Sequence, residues 1–230
     1  MMKLVLSLSL LIILAVAATA QVKPRPKATP TPTPAPAEDL VVKNGGAIHE
    51  KVYSSTRFGF AVTIPDAWYF AGRDFESMLL KDGIDLRVKA PNTIGQTART
   101  AVDRSVKDLD ILFTAFRTDA ESKNSAILRV AAEDLKLEPA IKDAVDYFDA
   151  IRATYKALPL PSDFQYSETQ AEQLGSTQFA FLDTSSKAGK KRVYAIVRDR
   201  HAVVFALTYT ADEDLVTLQR MLVEGNFDLK

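Results

Sequence analysis

Residues 191–210 read KRVYAIVRDRHAVVFALTYT. Two runs of β-branched and aromatic residues meet near Asp199 and are read as strands folded back on each other. In the first, Val193, Ala195 and Val197 alternate with Tyr194 and Ile196. In the second, Val203, Phe205, Leu207 and Tyr209 alternate with Val204, Ala206 and Thr208. Period-2 alternation sends each set to its own face of a sheet. Both sets are largely apolar, so both faces are expected to be covered and the hairpin to lie inside the sheet. Asp199-Arg200 is a poor two-residue turn, which favours Asn-Gly or Asp-Gly. A longer or differently shaped connection is expected there.

Outward from this hairpin, periodicity assigns the neighbours. Residues 110–117 (DILFTAFR) and 126–133 (AILRVAAE) are expected to pair as an antiparallel hairpin. Glu133 and Asp134 at its end are read as exposed edge charges. Phe58, Phe60, Val62 and Ile64 alternate in a strand stopped by Pro65, and Trp68, the single tryptophan, follows a turn. Residues 171–183 read as one strand with Gly175 as a bulge, after a short strand over 164–169. A helix is predicted over 139–158, with Pro139 at its first position and a stripe of Ile141, Val145, Phe148, Ile151, Tyr155 and Leu158. A final helix follows Thr210, whose spacing to Glu213 fits a capping box. Leu215, Leu218, Met221 and Leu222 form its buried side, and Gly225 a left-handed stop. Between 71 and 109 the pattern gives a short helix around Phe75–Leu80, a strand over 84–88 and a helix over 97–109. The sum is α+β: an antiparallel β-sheet flanked by α-helices.

The first 46 residues read differently. Lys3, an apolar run over 4–17 and Ala18-Thr19-Ala20 have the layout of a secretory signal over 1–20. The run falls short of the roughly 20 apolar residues of a membrane anchor, which is the rival reading. Residues 21–46 form a linker, its first part carrying Pro24, Pro26, Pro30, Pro32, Pro34 and Pro36. Such a segment is extended and polyproline-II-like. Residues 47–230 are then one globular domain. The expected location is extracytoplasmic, periplasmic or secreted, after cleavage near Ala20, with membrane contact only if the segment is kept.

Composition narrows the chemistry. Twenty-nine Lys and Arg balance 29 Asp and Glu, which gives no clustered positive field for nucleic acid. The sequence has no cysteine and two histidines, His49 and His201, so thiolate sites and histidine-rich metal sites are excluded. No phosphate-loop, dinucleotide or serine-elbow motif is present, and no cofactor is implied.

Tyr53, Phe58-Gly59-Phe60 and Ile64-Pro65-x-x-Trp68 resemble the opening of PsbP/Mog1-like domains. Residues 130–135 (VAAEDL) resemble bacterial secreted members of that type. Leu207-Thr208-Tyr209-Thr210, the helix behind it and Phe227 are similar to the family's ending. The resemblance implies an α/β/α sandwich around an antiparallel sheet. It also implies a largely non-catalytic role: known members include photosystem accessory subunits, a Ran-binding factor and uncharacterised extracytoplasmic domains. No binding residue of the family maps here by motif.

Four sets of residues were candidates for function. Trp68 is read as a core plug, with the wall of a small-ligand pocket as the alternative. Lys187, Lys190, Lys191 and Arg192 make a basic loop, either a solubilising tip or a contact for an anionic partner or lipid headgroup. His201 and Asp199, with Ser185 or Ser186, compose a hydrolase triad only if folding gathers them; the plainer reading is a turn histidine. Asp143, Asp146 and Asp149 share a helix edge where a solvated face competes with Ca²⁺. The reading favoured is a non-catalytic extracytoplasmic binding or accessory domain for another envelope or extracellular protein. A carrier of a small apolar ligand and a secreted hydrolase are the alternatives.

Overall fold

A computed structural model describes residues 40–42, 46–71, 109–117, 126–157, 160–186 and 189–229. In chain order they form β1 (Leu40–Val42), β2 (Gly46–His49), β3 (Val52–Ser55), β4 (Phe60–Thr63), β5 (Trp68–Phe70), β6 (Leu109–Arg117) and β7 (Ala126–Asp134). Then come α1 (Ala144–Ala157), β8 (Gln165–Tyr166), β9 (Gln170–Leu174), β10 (Thr177–Ser186), β11 (Gly189–Arg198), β12 (His201–Tyr209) and α2 (Asp212–Glu224). The protein is α+β. β1–β4 make a four-stranded meander. The larger sheet runs β5-β6-β7-β12-β11-β10-β8, with β9 also on β10. Every pairing is antiparallel.

The order follows from the connections. The chain walks from one edge inward through β5, β6 and β7. It crosses one face as α1, reaches the far edge at β8 and β9, and walks back through β10 and β11. β12 closes the sheet beside β7. That makes the 191–210 segment interior, as its two apolar faces required. On one face Tyr194, Ile196, Phe205 and Leu207 join Phe58, Phe60, Val62 and Trp68, and α2 adds Leu218, Met221 and Leu222. On the other, Val193, Ala195, Val204 and Ala206 meet Tyr147, Phe148, Ile151 and Tyr155 of α1.

Several local expectations are corrected. The turn at Asp199-Arg200 is a two-residue loop after all: Arg198 pairs with His201, and both turn residues are left-handed, at φ 45° and 62°. Arg200 is held in this unfavourable region by its guanidinium, which donates to the carbonyls of Leu135, Glu138 and Ile141. Those bonds, with the backbone turns from the Glu138 amide to Leu135 O and from the Ile141 amide to Glu138 O, organise residues 135–141. The helix accordingly starts at Ala144, five residues past Pro139. Its cap is Asp143, whose Oδ1 accepts from the amides of Val145 (2.8 Å) and Asp146 (2.9 Å). Val145 is exposed, and Tyr147 takes the core position.

Residues 171–183 are not one bulged strand. They divide between β9 and β10, and Gly175 sits in the turn at φ 61°. A Cβ there would lie 2.6 Å from the carbonyl oxygen of Val223, so the turn must also be flat enough for α2 to approach. At α2 the cap residue is Ala211 with no side-chain bond, so Thr210 and Glu213 make no capping box. Gly225 is extended, at φ −66°; it is close approach that excludes a side chain, since a Cβ would sit 2.7 Å from the Phe227 ring. The short strand expected over 164–169 is only Gln165–Tyr166. Paired backbone already begins at Leu40. The readings over 72–108 lie outside the described residues, except that Leu109 opens β6 instead of ending a helix. Residues 1–39, which hold the expected leader and the proline run, also lie outside them. Among the described residues no helix is long and apolar enough to cross a membrane.

Candidate functional site

The chemistry-bearing side chains collect at the end of the larger sheet where β10 turns into β11. Register explains how. Thr184 pairs with Lys191, Lys191 with Thr208, and Tyr166 with Thr184, so these four stand in one row across β8, β10, β11 and β12. They share the face that α1 covers, with Val193 and Ala195 next along β11. The following row brings Leu182, Val193, Ala206 and Arg129 into line. At this end an open cleft of about 410 Å³ is walled by Tyr166, Asp183, Thr184, Lys190, Lys191 and Tyr209 among others, with the Asp183 carboxylate taken by Arg192.

Strand parity takes the expected basic loop apart. Lys190 and Arg192 point to one face and Lys191 to the other. Lys190 is exposed, and its ammonium lies 3.0 Å from Asp212, whose hydrogen bond holds its pKa above the ordinary lysine value. Arg192 is committed inward. Its Nε and Nη2 donate to the two oxygens of Asp183 at 2.6 and 2.5 Å, and its plane lies 4.3 Å from the Phe181 ring centre. Burial opposes the Arg192 charge, but the bonds to Asp183 and Tyr194 hold it firmly protonated. Lys191 is only 6% exposed. Burial first, then the field of Arg129, push its pKa down to about 7. Lys187 lies outside the described residues.

A second cluster lies on the opposite face. The Tyr194 hydroxyl donates to Glu172 Oε2 at 2.7 Å, and Gln219 Nε2 donates to Glu172 Oε1 at 3.2 Å and to Tyr194 at 3.1 Å. Burial, then the Glu172 bond, push Tyr194 up to about 12. This network ties β9 and α2 to β11, and Tyr194 keeps its proton near neutrality.

The other candidate residues are not gathered. Ser185 is in register with Lys190 and through it with Tyr209, whereas His201 is at the other end of β12. Eight residues of strand, about 25 Å, separate them, so Ser185, Asp199 and His201 form no triad. His201 instead meets the Phe58 ring edge-on at 5.5 Å. Trp68 is 1% exposed inside the first core, and a ligand wall would need an open ring face. The three aspartates act separately. Asp143 caps α1, Asp146 accepts from the Lys142 amide, and Asp149 binds Arg152 and Thr169.

Two buried carboxylates were missed by the sequence reading. Glu133 is no edge charge: it is 3% exposed and accepts from the Tyr147 hydroxyl at 2.7 Å. Asp214 is 2% exposed and pairs with Arg117, Nε to Oδ1 at 2.5 Å and Nη2 to Oδ2 at 3.1 Å. The legible signal was parity, since Glu133 shares a strand face with Ala131. Asp214 keeps helical spacing with Leu218, Met221 and Leu222.

No protein-family model matches the chain, and no curated protein does. Among solved structures it is similar to the solution structure of cyanobacterial PsbP (CyanoP) from Synechocystis sp. PCC 6803. The TM-score is 0.42 and the identity 11%, over 85% of this chain and 99% of that one. That likeness is in backbone course and assigns no residue role.

Proposed function

We propose that this chain is an extracytoplasmic binding or accessory domain, without catalysis, that meets another envelope or extracellular protein. The observation that carries this reading is the order of segments: a secretory-type leader, a proline-rich spacer and then a folded unit. The fold supports it. Both faces of the large sheet are occupied by core, one by α1 and the other by β2–β4 and α2. Contact with a partner then falls to the sheet edges, the outer helix faces and the 184–191 end. The test is fractionation of cells making the tagged full chain, followed by cross-linked pulldown from the envelope fraction. The reading expects a form beginning near Gln21 outside the cytoplasm, with a specific partner retained. An unprocessed chain confined to the cytoplasm would sink it.

A further inference from the structure

The cleft at the 184–191 end combines three features that a plain hairpin tip lacks. It is a concavity of about 410 Å³. A lysine, 6% exposed, stands in its wall. A second cation, Arg129, shares the same sheet face one row further in and is close enough for its field to be felt at Lys191. Hydroxyl donors stand in the same row: Tyr166, and Thr184 at 6% exposure. Positive charge is thus concentrated on this side of the cleft, and charged donors favour an oxyanion acceptor.

We propose that this cleft binds the anionic group of a small ligand, a carboxylate or a tetrahedral oxyanion, with the Lys191 ammonium as its principal contact and the Tyr166 and Thr184 hydroxyls as further donors. The proposal stands on the cleft's geometry and does not depend on where the protein is located. It has a pH signature. Among the described residues, the other charged or titratable groups there are Asp183, Lys190 and Tyr209 of the cleft lining, Arg129 of β7, Tyr166 of β8 and Tyr155 of α1, whose ring lies 5.2 Å from that of Tyr166. Glu133 is further along β7 on the same face and is bound to Tyr147. Arginine stays charged throughout the neutral range, and burial raises Tyr155 well above the ordinary tyrosine value. Lys191 is therefore a group on that side whose charge changes near neutrality. Since the bound anion requires the ammonium, ligand binding takes up a proton above pH 7.

Sulfate and acetate are suitable probes, because neither titrates between pH 6 and 9. Calorimetric titration of the full chain is expected to show saturable one-to-one binding of at least one of them, which also tells tetrahedral from carboxylate preference. With Lys191 at about 7, affinity should fall by up to about a hundredfold between pH 6 and 9. Lys191→Met should abolish binding while the variant stays folded by circular dichroism, and Lys142→Met, an exposed lysine outside the cleft lining, should bind within about twofold of the parent. Absence of saturable binding of both anions at pH 6 would overturn the proposal. So would equal binding by Lys191→Met, or an affinity flat from pH 6 to 9.

Discussion

Lys191 is the residue at which stability and chemistry are most opposed. Its folded pKa is about 7, against an ordinary value of 10.5. Between those values the unfolded chain holds more protons than the folded one, so stability rises with pH across that window, at up to about 1.4 kcal/mol per pH unit. Below pH 7 both states are protonated and the cost of a buried charge is fully present. Methionine keeps the length of the stem without the charge. Lys191→Met is expected to exceed the parent in stability at pH 6–7 by about 3–4 kcal/mol, the gain that the parent recovers as pH rises towards 10. The two should converge towards pH 10. Urea denaturation of both proteins at pH 6.5, 8 and 9.5 measures this; parallel stability curves would show that Lys191 is not depressed. Asp214 makes the opposite case. It is buried against Arg117, and Asp214→Ala leaves a half-buried guanidinium without its carboxylate, at a cost of about 2–4 kcal/mol. The same melts read it, and a change below about 0.5 kcal/mol would mean the pair is solvated. Neither role shows in a composition or a motif. Parity along β11 places Lys191 with Val193 and Ala195, but depth depends on what covers that face.

At the scale of elements, the β11–β12 hairpin shows what local sequence can and cannot specify. Its strands were legible because alternation and β-branched residues need no knowledge of neighbours. β6 and β7 were legible for the same reason. Its turn was not, since Asp-Arg lacks the glycine such a loop prefers. The compensation comes from a segment about sixty residues away: the carbonyls of Leu135, Glu138 and Ile141 accept from Arg200, at 2.5, 3.2 and 3.2 Å. A left-handed non-glycine residue costs about 1–2 kcal/mol, and hydrogen bonds to a charged group contribute about 1.5–3. Arg200→Gly should therefore relax the turn yet lose about 1 kcal/mol overall, and Arg200→Ala about 2–3. Thermal and urea melts give the order. A glycine variant more stable than the parent would mean the tie to residues 135–141 is weaker than the strain it offsets. The same cause shifted the start of α1, where the stretch behind Pro139 belongs to Arg200 and Asp143 supplies the cap. Thr210 and Gly225 misled because helix ends depend on tertiary partners, whereas most of the two apolar stripes did not, Val145 being the exception.

For the whole molecule, one sheet separates two cores that touch different roofs. Phe60, Phe179, Phe205 and Phe227 form an aromatic group on one side, with ring centres 5.1–6.2 Å apart. Trp68 belongs to that side. Phe148 belongs to the other, fully buried between α1 and the sheet. β12 contributes Val203, Phe205 and Leu207 to the first core and Ala202, Val204 and Ala206 to the second. Loss of either roof therefore exposes the strand that both cores share, and the two sides should unfold together. Phe148→Ala tests this because it touches only the second core. The expected cost is about 3–5 kcal/mol, or a fall of about 1–3 M in urea midpoint for ordinary denaturant slopes. Trp68 is the sole tryptophan, so its emission reports the first core, whereas far-UV circular dichroism at 222 nm (a wavelength set by the helical signal) weights α1 and α2. In the parent the two signals should trace one transition, and in Phe148→Ala both should move by the same amount. A dichroism transition that shifts while the Trp68 transition stays in place would show that the sheet does not couple its faces, and that the domain is two layers unfolding in turn.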